Sequence, residues 1–139
     1  MKIEINTHGN DVPAKAKGGD WYDLAATETV EFKAGEMKII PLGISVSLPK
    51  KWTGYLLPRS STPLKYGLLM ANSMGVIDNS YCGDNDMLGF IAYATKDVTI
   101  HKGTRIAQFA AFESPVPIKF WEVDSLGNSD RNGFGSTGI

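Results

Sequence analysis

A single cysteine, Cys82, stands in a chain of 139 residues. No disulfide can form within it, and no thiolate metal cluster can assemble. Only two histidines are present, His8 and His101, and their separation matches no metal-ligand spacing, so both are expected at the surface. No apolar run approaches the roughly 18 residues that a membrane helix needs, and residues 1–10 lack the apolar core of a signal peptide. A soluble, intracellular protein is the expectation. An excess of charge is missing too: 14 Lys and Arg stand against 15 Asp and Glu, which argues against bulk binding to nucleic acid. A small anion is compatible with that balance, because it needs only a local cluster of donors.

Long helical patterns are also scarce, and the dominant period is two. Residues 2–6 and 43–48 alternate, the second with Ile44, Val46 and Leu48 on one face and Ser45 and Ser47 on the other. Short apolar runs at 53–57, 88–94, 97–100, 105–112 and 119–123 have strand lengths. Gly and Pro punctuation between them recurs at the spacing of an all-β sandwich or barrel. One short helix is predicted around Thr62-Pro63-Leu64-Lys65-Tyr66-Gly67, with Thr62 as capping hydroxyl, Pro63 at the first helical position and Gly67 as stop. The apolar fraction of 42% suffices for one core. Residues 1–124 therefore read as a β domain. Residues 125–139 are rich in Gly, Ser, Asn and Asp and read as a flexible arm; its lone Arg131 and Phe134 suit a clamp that orders on a ligand.

Four segments of the body carry groups suited to chemistry. In Pro58-Arg59-Ser60-Ser61-Thr62-Pro63 an arginine and two hydroxyls precede a helix start, an arrangement that suits an anion. An ordinary cap beside a surface arginine has the same composition. The stretch from Ala71 to Asp84 reads as strand, turn and strand, offering backbone groups and Asn72 to a base and the Tyr81 ring to a sugar. Asp78 follows two apolar residues, which would shield it partly and suit it to general-base work; a plain Asp-Asn turn with a core tyrosine fits as well. Residues 103–109 alone would be an edge strand, and residues 20–26 an aromatic-rich strand start.

Taken in order, these segments and the arm resemble the five motifs of the trimeric deoxyuridine triphosphatase family. The motifs are Tyr22-Asp23-Leu24-Ala25-Ala26, Pro58-Arg59-Ser60-Ser61, Asn72-Ser73-Met74-Gly75-Val76-Ile77-Asp78 with Tyr81 and Gly83, Gly103-Thr104-Arg105-Ile106-Ala107-Gln108, and Arg131-Asn132-Gly133-Phe134-Gly135-Ser136-Thr137-Gly138. The resemblance covers nearly the whole chain. It implies a distorted jelly-roll β-barrel, a homotrimer with shared active sites, and magnesium-dependent hydrolysis of dUTP to dUMP and pyrophosphate. By the same resemblance Asp78 activates the water that attacks the α-phosphorus. Tyr81 packs beneath the deoxyribose, and Asn72 with the backbone at Gly75 and Ile77 reads the uracil. Arg59, Ser60, Ser61 and Gln108 hold the phosphates, and Asp23 reaches Mg2+ through a water. Phe134 stacks on the base, while Arg131, Gly135, Ser136 and Thr137 close over the nucleotide. The location implied is cytoplasmic, or the host cytoplasm for a viral source.

Several positions depart from the family pattern. The Ala-Gly pair usual shortly before the aspartate is missing: Gly18-Gly19 stands further upstream and Trp21-Tyr22 intervenes, which leaves Asp20 as a rival to Asp23 in the alignment. Cys82 stands where a basic or amide residue is common, and Thr104 where an acid is usual. The acidic stretch Asp84-Asn85-Asp86-Met87 is enlarged, and it is where a regulatory protein partner would be sought. Two alternatives share the barrel: a dCTP deaminase, for which no proton-shuttling glutamate is evident, and a dUTP-binding regulatory protein.

Overall fold

The computed structural model of the protein describes residues 1–135. They form twelve strands and one helix: β1 (Glu4–Asn6), β2 (Ala14–Lys15), β3 (Tyr22–Ala25), β4 (Val30–Phe32), β5 (Met37–Pro41), β6 (Ser45–Ser47), β7 (Trp52–Pro58), α1 (Ser61–Tyr66), β8 (Leu68–Met70), β9 (Gly75–Ile77), β10 (Gly89–Ala94), β11 (Val98–Ile100) and β12 (Arg105–Glu113). The sheets are small, with orders β1-β6, β5-β10-β8, β11-β4 and β2-β3-β12-β7-β9. One hydrophobic cluster draws Val46, Phe90, Ile100 and Leu56 from the four sheets in turn. The sheets therefore wrap a common core, and the all-β, jelly-roll-like expectation holds.

The five-stranded sheet positions the chemistry. Its inner face carries Leu24, Leu56, Ile77 and Phe109, all buried. On β7 the Phe109 ring lies over Gly54, where an added Cβ would stand 2.7 Å from it, so only glycine fits without a shift. Alternation sends the opposite set outward: Asp23 faces Gln108, Gln108 faces Leu57, Ala110 faces Tyr55, and Tyr55 faces Val76. On this outer face Tyr55 and Phe112 stack with ring centroids 5.1 Å apart.

Three sequence expectations are corrected. The helix begins at Ser61, with Ser60 as its cap residue and no side-chain cap bond. Thr62 is fully buried and its hydroxyl donates to the Ile106 carbonyl on β12, so tertiary bonding draws it away from capping. Gly67 does end the helix, in the left-handed region with φ of 64°. The strand expected at 119–123 is absent: regular structure ends with β12 at Glu113, and the apolar residues Phe120 and Trp121 are exposed, without a face to pack on. Finally, the strand–turn–strand at 71–84 is not a paired hairpin. β8 pairs with β10 and β9 pairs with β7, so the turn passes from one sheet to another, and no second strand lies between Ile77 and Gly89.

Strands β4 and β5 had no counterpart in the periodicity. β4 is three residues long. In β5 both Ile39, exposed, and Ile40, fully buried, are apolar, so alternation is masked.

Candidate active site

Arg59 leaves the end of β7, and its backbone N–H donates to the Ile106 carbonyl at 3.2 Å, the same oxygen that accepts from Thr62. The second and fourth motifs are thereby welded together. Arg59 Nε lies 3.1 Å from Asp23 Oδ1, and Arg105 Nη1 lies 3.3 Å from Asp23 Oδ2. The Asp23 side chain is only 7% exposed. Its carboxylate, set between two guanidinium groups, is a fixed counter-charge that aims both arginines. Gln108, opposite Asp23 in the ladder, donates from Nε2 to the Pro58 carbonyl at 3.0 Å and steadies the chain just before Arg59. Asp20 is exposed and takes no part, which supports aligning the first motif on Asp23.

A cleft of about 480 Å³ opens beside this cluster, lined by Arg59, Ser61, Lys65, Tyr66, Lys102 and Arg105 among others. Four cations around it, with Asp23 against two of them, favour a polyanion. Ser61 is half-buried and lines the cleft, while Ser60, exposed, precedes it in the chain and is not part of the lining. Lys65, Lys102 and the clamp role of Arg105 were not singled out from sequence. Lysines are common on surfaces, and only the fold brings these two to one cleft. A second cleft of about 490 Å³, lined by Lys15, Asp23 and Arg105 among others, lies across the Asp23–Arg105 pair.

Asp78, Tyr81 and Asn72 form a separate group. Asp78 follows β9, the last strand of the five-stranded sheet, and is exposed. The shielding expected from Val76 and Ile77 is therefore not supplied within one chain, because Ile77 turns inward and Val76 is itself 54% exposed. Three strand intervals separate β3 from β9, a gap of roughly 14 Å, so one chain does not bring Asp78 to the Asp23 cluster. As an edge strand, β9 presents backbone donors and acceptors along its free side, at Gly75 to Ile77. Asn72 is exposed in the turn before it, where Ser73 adopts φ of 63°. The Tyr81 ring is 42% exposed, and its hydroxyl donates to the Met87 carbonyl at 3.0 Å.

The enlarged acidic stretch is tied inward. Asn6 Nδ2 donates to Asp84 Oδ1 at 2.9 Å, Ser45 Oγ to the Asp84 carbonyl at 3.0 Å, and the Gly83 N–H to Asp86 Oδ2 at 2.8 Å. Residues 84–87 thus brace the loop that carries Tyr81.

The third group is the C-terminal arm. Arg131, Phe134 and Gly135 are exposed and touch neither of the other groups, while Ser136 and Thr137 lie outside the described residues. Among the described residues no group of three or more His, Cys, Asp or Glu side chains could hold a metal ion by itself, and no helix is long and apolar enough to cross a membrane.

Comparison with known proteins gives one consistent result. The profile of the dUTPase family matches residues 8–138. The SPbeta prophage-derived deoxyuridine 5'-triphosphate nucleotidohydrolase YosS of Bacillus subtilis is 49% identical over 124 residues, which covers 89% of this chain and 87% of that protein. Among solved structures, a dUTPase from Streptococcus mutans superposes with a TM-score of 0.74 at 26% identity, over 86% of this chain and 100% of the other. The dUTPase of Staphylococcus bacteriophage 80alpha with dUPNHPP has the same fold, with a TM-score of 0.80 at 23% identity over 99% of each chain.

Proposed function

The chain belongs to the dUTPase family and is a dUTP diphosphatase, and from that premise we propose that its active site is completed by three copies of the chain. The observation that carries this reading is the separation of the three residue groups within one protomer. Asp23, which holds the two arginines, lies three strand intervals from β9, the strand that leads into Asp78, and Arg131 and Phe134 of the arm are exposed. A homotrimer resolves this: one subunit supplies Asp78, Tyr81 and Asn72, a second the cationic cleft, and a third the arm. The exposed Val116, Ile118, Phe120 and Trp121 of the arm's approach give such an assembly apolar surface to bury.

In the completed site Asp78 accepts a proton from water as the water oxygen bonds to the α-phosphorus. The bond from that phosphorus to the bridging oxygen breaks, and pyrophosphate leaves. Arg59, Ser60, Ser61 and Gln108 hold the phosphates and offset the charge of the transition state, which is where most phosphoryl-transfer catalysis originates. The edge of β9 and Asn72 read the uracil, and Tyr81 leaves no room for a ribose hydroxyl. Arg131 and Phe134, with Gly135, Ser136 and Thr137, close over the nucleotide.

Magnesium fits as an ion that enters with the nucleotide, since among the described residues no group of His, Cys, Asp or Glu side chains could hold it alone. Bound to the phosphates, it would neutralise part of their charge. Asp23 would hold it at one remove, through a water, since one carboxylate oxygen already accepts from Arg105 and the other is paired with the Arg59 guanidinium. The reaction takes place in the cytoplasm, of the host cell for a viral source. A regulatory protein partner would meet residues 84–87, of which Asp84, Asn85 and Met87 are exposed.

Pyrophosphate release with magnesium, compared for dUTP, dCTP, dTTP and UTP, tests the substrate reading; rapid release from dUTP alone is expected. Ammonia release from dCTP would instead reassign the chain to the deaminases. For the shared site, Asp78→Asn and a deletion of residues 129–139 are each expected to be nearly inactive as intact trimers. Re-associating a mixture of the two recovers part of the turnover, because some sites then draw Asp78 and the arm from unmutated copies. Loss of the trimer on truncation, or no recovery in re-associated mixed trimers, defeats the proposal.

A further inference from the structure

We infer that Asn79 is a positioning residue for Asp78, an inference that rests on Asp78 being the general base. The pairing of β9 with β7 stops at Ile77 opposite Gly54. Carried on, the register sets Asn79 beside Trp52. There the side chain of Asn79 takes over from the backbone ladder. Its Nδ2 donates to the Pro49 carbonyl at 2.7 Å and the Trp52 carbonyl at 3.0 Å, with a longer approach to the Leu48 carbonyl at 3.4 Å. An amide nitrogen has two hydrogens, and the two short contacts use both. The acceptors belong to a tight turn that is itself closed by the Trp52 N–H on the Pro49 carbonyl at 3.1 Å, with Lys51 at φ of 69°.

The amide can face only one way. Reversed, it would set Oδ1 against carbonyl oxygens. Asp78 is thus gripped on both sides, by the ladder at buried Ile77 and by the half-buried Asn79 clamp. Its own carbonyl accepts from the Tyr81 N–H at 2.9 Å. The carboxylate projects from a backbone pinned at three points, although the residue itself is exposed. Such pinning matters because a misplacement of about 1 Å in a reacting group can cost on the order of 10²-fold in rate.

Substitution separates this role from simple turn stability. Asn79→Asp keeps the shape but presents only acceptors to the turn carbonyls, and is expected to lower kcat for dUTP about 10²-fold with KM nearly unchanged. Asn79→Ala leaves the carbonyls free for water and is expected to lower kcat about 10-fold, again at constant KM. It also serves as the readable variant if Asn79→Asp does not fold. Both are measured as folded trimers beside Asp78→Asn, with Tm recorded. Wild-type kcat in the folded variants, whatever their Tm, overturns the inference, and so does a rise in KM at constant kcat. Full turnover by Asp78→Asn removes the general-base reading instead, so the two failures are distinguishable.

Discussion

Asp23 and Asp78 stand on the same five-stranded sheet and have opposite surroundings. The Asp23 side chain is 7% exposed, with a guanidinium on each oxygen. Asp78 is exposed, and among the described residues its carboxylate has no hydrogen bond, so its position is set only through the backbone. One carboxylate is committed to partners within its own chain; the other is free to accept from a water. The contrast teaches that a finished ionic cluster orients ligands, whereas a group poised for proton transfer is left open until substrate and neighbouring subunits supply its surroundings. The arm carries the second condition further, since residues 121–135 have no buried member at all.

The comparison can be broken at either end. The largest effect is expected at Asp78: Asp78→Asn removes the base and lowers kcat about 10²- to 10⁴-fold, with little change in Tm. Steady-state pyrophosphate assays and a melting curve on one preparation check both halves. Asp23→Ala should lower turnover as well and, unlike Asp78→Asn, cost about 1–3 kcal/mol of stability by stripping a charged hydrogen bond from Arg105 and the ion-pair partner from Arg59. Chemical denaturation measures that cost, and a Tm equal to wild type would show the clamp to be dispensable. The smallest effect belongs to Arg105→Ala. That side chain is 57% exposed, so its ion pair is screened and worth at most about 1 kcal/mol. A loss as large as that of Asp23→Ala would mean that Arg105, rather than Arg59, dominates the clamp.

The candidate segments were legible only jointly: each alone has an ordinary structural reading, but five of them recur in a fixed order along the chain. Asp23, Arg59 and Gln108 were named from sequence and lie together, and the all-β architecture followed from period-two runs around Ile44, Val46 and Leu48. Arg105 as a partner of Asp23 was not legible, because the two are 82 residues apart and meet only through the pairing of β3 with β12. Thr62 and Asn79 were hidden for another reason. Their partners are backbone carbonyls, and every residue carries one, so no side-chain pattern marks the acceptor. The expected strand at 119–123 fails on the same logic in reverse: apolar side chains signal burial, yet in one chain nothing lies opposite them.

Local chemistry was thus determined by the sequence alone: which faces alternate, that Gly67 stops the helix, and which residues could meet a nucleotide. These depend on contacts a few residues long or on side-chain identity. Tertiary structure alone decided which aspartate is clamped and which is open, which hydroxyl bonds to β12 instead of capping α1, and which asparagine grips a turn. Those outcomes depend on strand register and on carbonyl positions, and both are set by how distant segments pack around one core.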